Sequence, residues 1–267
     1  MKNFNDFLYE FTLSFNPISN IDDYISNMNK GLKDKLFFLN KIKIDTLVDF
    51  GCADGSILNE IHKARPDIKL IGYDIDGDMI RMSQNKYPEI SFYSNWNDVL
   101  ENIDGDKTAL FLSSVIHEIY SYGSSKEIKN FWKHQAFDDN FKYLIIRDMI
   151  PSVNFDRMNL VDIKKIREKS DPKYLADFEN YWGDISTNFR VLLHWLLKYK
   201  YINNWKRELY ENYLPVSLET LKKKIPNDWN IIYENHYTYD YLKSQIKKDF
   251  DVDLDEYTHL KMIIENK

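Results

Sequence analysis

From residue 46 onward, short apolar runs alternate with stretches of helical spacing. Thr46–Phe50, Lys69–Ile75, Ile90–Tyr93, Ala109–Ser113 and Tyr143–Arg147 read as strands. Between them, Ser56–Ala64, Gly77–Lys86 and Lys126–His134 repeat their apolar residues at helical intervals. The runs LVDF, LIGYDI and ALFLSS are almost continuously apolar. Strands of a parallel sheet covered by helices on both faces have this character. The alternation predicts βαβ units in a doubly wound α/β domain. Two further strand candidates, Asn230–Thr238 and His259–Glu265, flank a helix candidate at Tyr241–Phe250, which brings the expected sheet to seven strands.

Two stretches break the rhythm. In residues 1–44, Phe4, Phe7, Leu8 and Phe11 recur at helical spacing, and a second helical run covers Ile21–Leu39, with Pro17 and Ser19 at the break. These helices can pack on the core, form a lid over a pocket, or do both. Residues 151–225 are polar-aromatic and helical in pattern, with no clear strand. The expected organisation is an N-terminal helical segment (1–44), an α/β core (45–150), a helical insertion or cap (151–225) and C-terminal strands completing the core sheet (226–267).

Composition narrows the class. The 267 residues are 43% hydrophobic and 15% aromatic, enough for a substantial core. The formal charge of -6 argues against broad phosphate-backbone binding while allowing a local basic groove. One cysteine, Cys52, excludes an internal disulfide and a four-cysteine metal site. MKNFNDFLYEF lacks the apolar block of a signal peptide, and Val191–Leu197 is too short to span a bilayer. The expectation is a cytoplasmic protein with no membrane association.

The most informative segment is Val48-Asp49-Phe50-Gly51-Cys52-Ala53-Asp54-Gly55-Ser56, which leaves a predicted strand and enters a predicted helix. Glycines there permit a tight turn and close backbone approach to a ligand. Asp74 ends the second strand in LIGYD, and an acid about 20 residues past such a loop is placed to bind ribose hydroxyls. The dinucleotide pattern G-x-G-x-x-G, laid from Gly51, places Ala53 and Ser56 where glycines belong, so a nicotinamide cofactor is disfavoured.

The spacing D-x-G-x-G-x-G, here Asp49, Gly51, Ala53 and Gly55, resembles motif I of the class I S-adenosylmethionine (SAM)-dependent methyltransferases, with alanine in place of the middle glycine. IGYDIDGDMI resembles the family's second motif, FYSNWNDVL the segment after its third strand, ALFLSSVIHEI its fourth strand and turn, and YLIIRDM its fifth strand. The resemblance covers roughly residues 45–150 and 226–267. It implies a mostly parallel seven-stranded sheet ending in an antiparallel strand pair, and SAM as cofactor. The implied cofactor pocket comprises Asp49, Gly51, Cys52, Ala53, Gly55, Asp74 on the ribose, Ile75 beside it, Asn95 or Trp96 at the adenine, and Ser113. Cys52 is expected to contribute its backbone and not a nucleophile.

Ligands in open α/β sheets sit at the carboxyl ends of the strands, so acceptor chemistry is sought after strands four and five. His117 is the candidate general base, because its ordinary pKa lies near neutrality. Glu118 is a candidate to orient it or to contact substrate. Tyr120, Tyr122 and Arg147 are candidates for acceptor binding, and each has a purely structural alternative as packing, cap or ion pair. No metal is expected, since an H-E-x-x-H site would need histidine where Ser121 stands. In Leu192–Leu214, Lys198, Lys200, Lys206 and Arg207 interleave with Tyr199, Tyr201, Trp205, Tyr210 and Tyr213. This suits single-stranded nucleic acid, and it equally suits an amphipathic helix with solvated lysines. Lys222, Lys223 and Lys224 read as a solvated helix end. The expected function is methyl transfer to an RNA, peptide or small-molecule acceptor, with a nucleic-acid-related one favoured. The alternative is a catalytically silent methyltransferase-fold subunit. The sequence leaves the oligomeric state open.

Overall fold

The computed structural model describes residues 32–103, 106–152 and 162–267. The expected helices around Phe4–Phe11 and most of the Ile21–Leu39 run lie outside the described residues. A short helix, α1 (Leu32–Lys35), leads into β1 (Thr46–Phe50), α2 (Ser56–Ala64), β2 (Lys69–Tyr73), α3 (Gly77–Lys86), β3 (Ser91–Tyr93) and α4 (Trp96–Glu101). Then follow β4 (Thr108–Ser113), α5 (Ile116–Tyr122), α6 (Ser125–Phe131), a π-helical turn (Trp132–Ala136) and β5 (Tyr143–Asp148). The insertion carries α7 (Ile163–Lys169), α8 (Pro172–Trp182), α9 (Phe189–Lys198), α10 (Trp205–Glu208) and α11 (Leu218–Lys222). β6 (Trp229–Tyr237), α12 (Asp240–Phe250) and β7 (His259–Asn266) end the chain.

The seven strands form one sheet in the order β3-β2-β1-β4-β5-β7-β6. The first five pair in parallel, and β7 runs antiparallel between β5 and β6. The helices of the βα units start and stop as the caps dictate. Asp76 accepts from the Asp78 and Met79 backbone N–H groups at the start of α3, and Ser124 and Glu127 form a reciprocal capping box at α6. The helix expected at Lys126–His134 begins one residue earlier and then widens into the π-helical turn. β2 stops at Tyr73, two residues short of the expected end; the Asp74 N–H still donates to the Tyr93 carbonyl at 3.3 Å, while its carboxylate accepts from the turns on either side.

Among the described residues, three apolar clusters form the core. One lies on the sheet face carrying Val48, Phe50, Leu112 and Ile146. A second lies on the opposite face, with Leu47, Phe111, Ile145 and Ile263 under Phe38. The third belongs to the insertion: Phe178, Leu192, Trp195 and Leu196 pack with Ile246 and Phe250 of α12. The insertion therefore shares its core with the C-terminal portion of the chain. No described helix is long and apolar enough to cross a membrane.

Candidate active site

The turn after β1 is tied to the tip of β2. The backbone N–H groups of Gly51 and Cys52 both donate to the Tyr73 carbonyl, at 2.7 and 3.0 Å. Gly51 has φ +80°, and a Cβ there would lie 2.8 Å from Val115 Cγ2, so both conformation and space require glycine. Gly55, at φ +72°, faces the Phe92 ring in the same way. Between them Ala53 adopts φ 48°, a left-handed geometry costing an L-residue about 1–2 kcal/mol. What holds it there is Asp74: the Ala53 N–H donates to Asp74 Oδ2 at 2.8 Å, while the Asp76 N–H donates to Oδ1 at 2.9 Å. Burial raises the Asp74 pKa, and these backbone donors oppose the rise. A carboxylate has about four lone-pair directions, so two backbone bonds leave room for hydroxyl donors from a ligand. Ile75 sits half-buried beside it.

Asn95 and Trp96, the two alternatives expected at the adenine, part company. Asn95 is exposed at the tip of β3 and caps α4, accepting from the Asn97 N–H at 2.9 Å. Trp96 turns inward among Phe50, Tyr73 and Phe141 and belongs to the core. Cys52 is buried, and burial pushes its thiol well above the ordinary value, which suits a backbone role.

Two acceptors in this cradle are buried without hydrogen-bond partners among the described residues: Asp49 Oδ2 and Ser113 Oγ. Asp49 is level with Phe111 in the ladder and Ser113 with Arg147. Alternate residues share a face, so Asp49, Ser113 and Arg147 all project to the face covered by α1. Burial pushes the Asp49 carboxyl up to about 7, against the pull of Lys35 and with the help of Asp74. Leaving such a group unmet costs about 1–3 kcal/mol, so a cationic donor would be well received here.

The other face of the β5 tip carries Asp148. Its Oδ2 accepts from the Ile116 N–H at 2.8 Å, and its Oδ1 accepts from the Met149 N–H at 2.7 Å and meets His117 Nδ1 at 3.0 Å. Burial alone would depress the His117 pKa. The Asp148 carboxylate, with Glu118 and Glu211 behind it, more than reverses this and holds it up to about 9. Asp148 is itself drawn below its ordinary range: burial opposes, but His117 and the two backbone donors prevail.

Glu118 was expected to orient His117 or to contact substrate, and the structure gives the orienting place to Asp148. Neighbours on a helix point about 100° apart, and Glu118 faces the insertion, accepting from Arg207 Nη2 at 3.0 Å. Arg207 Nε donates to Glu211 Oε1 at 2.6 Å, and Tyr122 OH donates to the same oxygen at 2.7 Å. The orienting carboxylate is Asp148, visible in the sequence only as half of a charged pair at a strand end. Tyr120 and Tyr122 also diverge, since positions two apart on a helix face nearly opposite ways. Tyr120 OH accepts from Trp132 Nε1 at 3.0 Å, with the Lys224 ammonium over its ring, whereas Tyr122 meets Glu211.

Arg147 does not stand free for a substrate. Its Nε donates to Asp34 Oδ2 at 3.2 Å, its Nη1 donates to Ser114 Oγ at 2.6 Å, and its guanidinium lies over Tyr239. Asp34 also accepts from Tyr237 OH at 2.6 Å, Tyr239 OH at 2.5 Å and the Lys261 ammonium. No periodic signal marked this hub, which joins α1 to β5, β6 and β7.

The basic-aromatic stretch of the insertion is engaged internally. Lys198 is fully buried, donating to the Glu208 and Glu211 carbonyls under the rings of Trp182 and Tyr213. Lys200 pairs with Asp249 at 2.6 Å while remaining exposed, Arg207 is held as above, and Lys206 is exposed. Lys222 and Lys223 pair with Glu234 and Glu219. The expected preference for a nucleic-acid acceptor loses two of its cations, since Lys198 and Arg207 are taken up by internal partners, while Lys200 and Lys206 stay exposed.

No family model matches this chain. A 76-residue stretch is 32% identical to a protein of Invertebrate iridescent virus 6 described as "Putative methyltransferase 235L", over 27% of this chain and 29% of that protein. The chain thus matches less than a third of that relative's length. Among solved structures, the plantazolicin methyltransferase BamL, in complex with a triazolic desmethylPZN analog and S-adenosylhomocysteine (SAH), is similar with a TM-score of 0.51 and 11% identity, over 98% of this chain and 96% of that one. The methyltransferase domain of bacterial CtHen1-C is more distant, with a TM-score of 0.49 and 10% identity over 90% of this chain and 98% of that one. The chain has the class I SAM-dependent methyltransferase fold, in strand order and in its antiparallel final pair.

Proposed function

We propose that this chain transfers the methyl group of SAM to an acceptor bound between the β4 and β5 tips and the helical insertion. The observation that carries the reading is the Asp74 carboxylate, locked by backbone donors across the glycine turn with acceptor capacity left over. The cradle fits the cofactor's parts. Asp74 would take the ribose hydroxyls, the Gly51–Gly55 turn the nucleoside, Asn95 at the β3 tip the base, and Asp49 Oδ2 with Ser113 Oγ an ammonium. When bound, SAM supplies an electrophilic methyl on its sulfonium. The protein's part is to hold the acceptor atom in line with it, and orientation alone lowers the barrier substantially. Isothermal titration calorimetry should show SAH binding and no NAD binding, and tritiated SAM should then label an acceptor pool. Absence of SAH binding would remove the reading, and binding without any transfer would make the chain a silent binding subunit.

His117 is proposed as the proton acceptor for a hydroxyl or amine acceptor, with Asp148 fixing its ring through Nδ1. Its high pKa means it is mostly imidazolium at neutral pH. Turnover should therefore climb with pH, roughly tenfold per unit below 9, and level off above it. His117→Ala should flatten that limb while leaving SAH affinity unchanged; an unaltered pH profile in the variant would return His117 to a packing role. The stability linkage runs the other way. A histidine raised from 6.5 to about 9 contributes stability fully below 6.5, and that contribution is lost as pH rises through about 9. The internal engagement of Lys198 and Arg207 favours a peptide or small-molecule acceptor over RNA.

A further inference from the structure

We propose that the groove between α6 and the chain following α11 binds an acidic peptide segment of a partner protein, anchored by an apolar side chain. The groove shares no residue with the cofactor cradle, and the proposal does not depend on methyl transfer.

The groove has a volume of about 360 Å³. Ile128, Trp132, Phe137 and Pro226 form its floor, and its rim carries Lys129, Lys133 and Lys224. Lys129 and Lys133 stand four residues apart on one wall, a spacing that brings side chains to the same helical face. Between them the helix widens into the π-helical turn Trp132–Ala136, a rare geometry that recurs at functional sites. From the other wall the Lys224 ammonium lies 5.7 Å from the Trp132 ring centre and 6.0 Å from that of Tyr120, which keeps it over the floor. Tyr120 also accepts from Trp132 Nε1, so the floor backs onto α5, the helix that carries His117.

The rim cations lack what nearby lysines have. Lys222 pairs with Glu234, Lys223 with Glu219 and Lys142 with Glu265. Lys129, Lys133 and Lys224 have no carboxylate partner among the described residues, and Glu127, the acid of α6, is taken by the Ser124 cap. In a chain of formal charge -6, uncompensated cations gathered in one groove favour a partner that brings anionic groups. The floor decides what carries those groups. An apolar side chain seated against Ile128 and Pro226 leaves water, whereas a nucleotide base stacks on an open ring face. Trp132 and Phe137 offer no such face: they are 5% and 8% exposed, they pack on each other at 5.8 Å, and Trp229 meets Phe137 edge-on. Carboxylates flanking an apolar anchor therefore match both rim and floor, while a nucleic-acid strand matches the rim alone.

The test is fluorescence anisotropy on the whole chain, with a short labelled peptide of glutamates around a central leucine pair. Wild type should bind it, less tightly as salt rises, and at least about tenfold more tightly than the same peptide with serines for the leucines. The combined change Lys129→Glu, Lys133→Glu and Lys224→Glu should weaken binding at least about tenfold. The control pair Lys206→Glu and Lys248→Glu, exposed elsewhere on the surface, should stay within about twofold of wild type. Lys129 and Lys133 are themselves exposed, so if the half-buried Lys224 proves necessary for folding, the double variant carries the comparison. No binding by wild type, indifference to the leucines, or an equal loss in the control pair overturns the proposal. Tighter, rim-dependent binding of a single-stranded oligonucleotide would overturn it in favour of nucleic acid, and a rim-dependent dimer in sedimentation would overturn it in favour of a second copy.

Discussion

Asp74→Ala is expected to weaken SAH binding by about 10- to 100-fold, the loss of a charged acceptor worth roughly 1.5–3 kcal/mol. The side chain does two things at once. It would take ribose hydroxyls on its open lone pairs, and it holds the Ala53 and Asp76 N–H groups that shape the turn. The variant therefore also leaves the Ala53 N–H without its acceptor while the residue remains in a left-handed backbone. An unmet buried donor costs about 1–3 kcal/mol. For a chain of this size each kcal/mol lowers Tm by roughly 2–4 °C, so the variant should melt several degrees lower yet remain folded at 25 °C. Asp74→Asn separates the two effects. Its single amide oxygen can keep the Ala53 bond but turns the NH2 toward the Asp76 N–H, so its Tm should fall less than that of Asp74→Ala while SAH affinity still falls. Calorimetry on the folded variants reads the affinity. Wild-type affinity in Asp74→Ala would remove the ribose assignment, and with it the strongest support for a nucleoside cofactor.

Arg207→Met should be among the most destabilising single changes outside the apolar core. Arg207 joins Glu118 of α5 to Glu211 of the insertion at 3.0 and 2.6 Å, pinning the cap beside His117. Glu211 is almost wholly buried, whereas Glu118 retains a third of its exposure and contributes correspondingly less. Removing one partner of a buried pair leaves an uncompensated charge and costs about 3–5 kcal/mol. Because one of the two pairs is partly solvated, the lower end of that range is expected, with a Tm fall near 10 °C. The pH dependence carries a sign. Burial pushes Glu211 up, but Arg207 and His117 bring it below its ordinary value of 4.5, so in wild type its contribution is present above that value and lost as pH falls below it. Without the arginine, its pKa rises and protonation relieves the buried charge. Urea denaturation at pH 7.5 and at pH 5 should therefore show the gap between variant and wild type narrowing on acidification. A gap under 1 kcal/mol at both pH values would mean that the bridge is not what holds the cap.

The elements were legible because the signals are local. Ser56–Ala64 and Gly77–Lys86 were read to the residue, since caps and apolar spacing act over a few positions. The five parallel strands were legible from their continuous apolar runs, and the nucleotide-type turn from glycines whose spacing meets a conformational need at Gly51 and Gly55. Asp74 was found because its distance along the chain is set by one βαβ unit. Trp96 was misplaced at the cofactor because it adjoins Asn95 in sequence, although the helix begun at that point turns its indole into the core. Lys198 was read as solvated or nucleic-acid-facing, yet carbonyls ten and thirteen residues later close over it.

The amino-acid order by itself determined which segments become strands and helices, where the chain makes its glycine turn, and which acid stands at the second strand's tip, because each depends on neighbours a few residues away. Tertiary structure alone decided the partners: Asp148 and not Glu118 for His117, Asp34 for Arg147, Glu211 for Arg207 and Tyr122, and unmet acceptors at Asp49 and Ser113. Side-chain direction is the physical reason. A turn of 100° per helical residue, and alternation along a strand, send adjacent residues to different faces. Groups far apart along the chain then meet only where strand tips and loops converge.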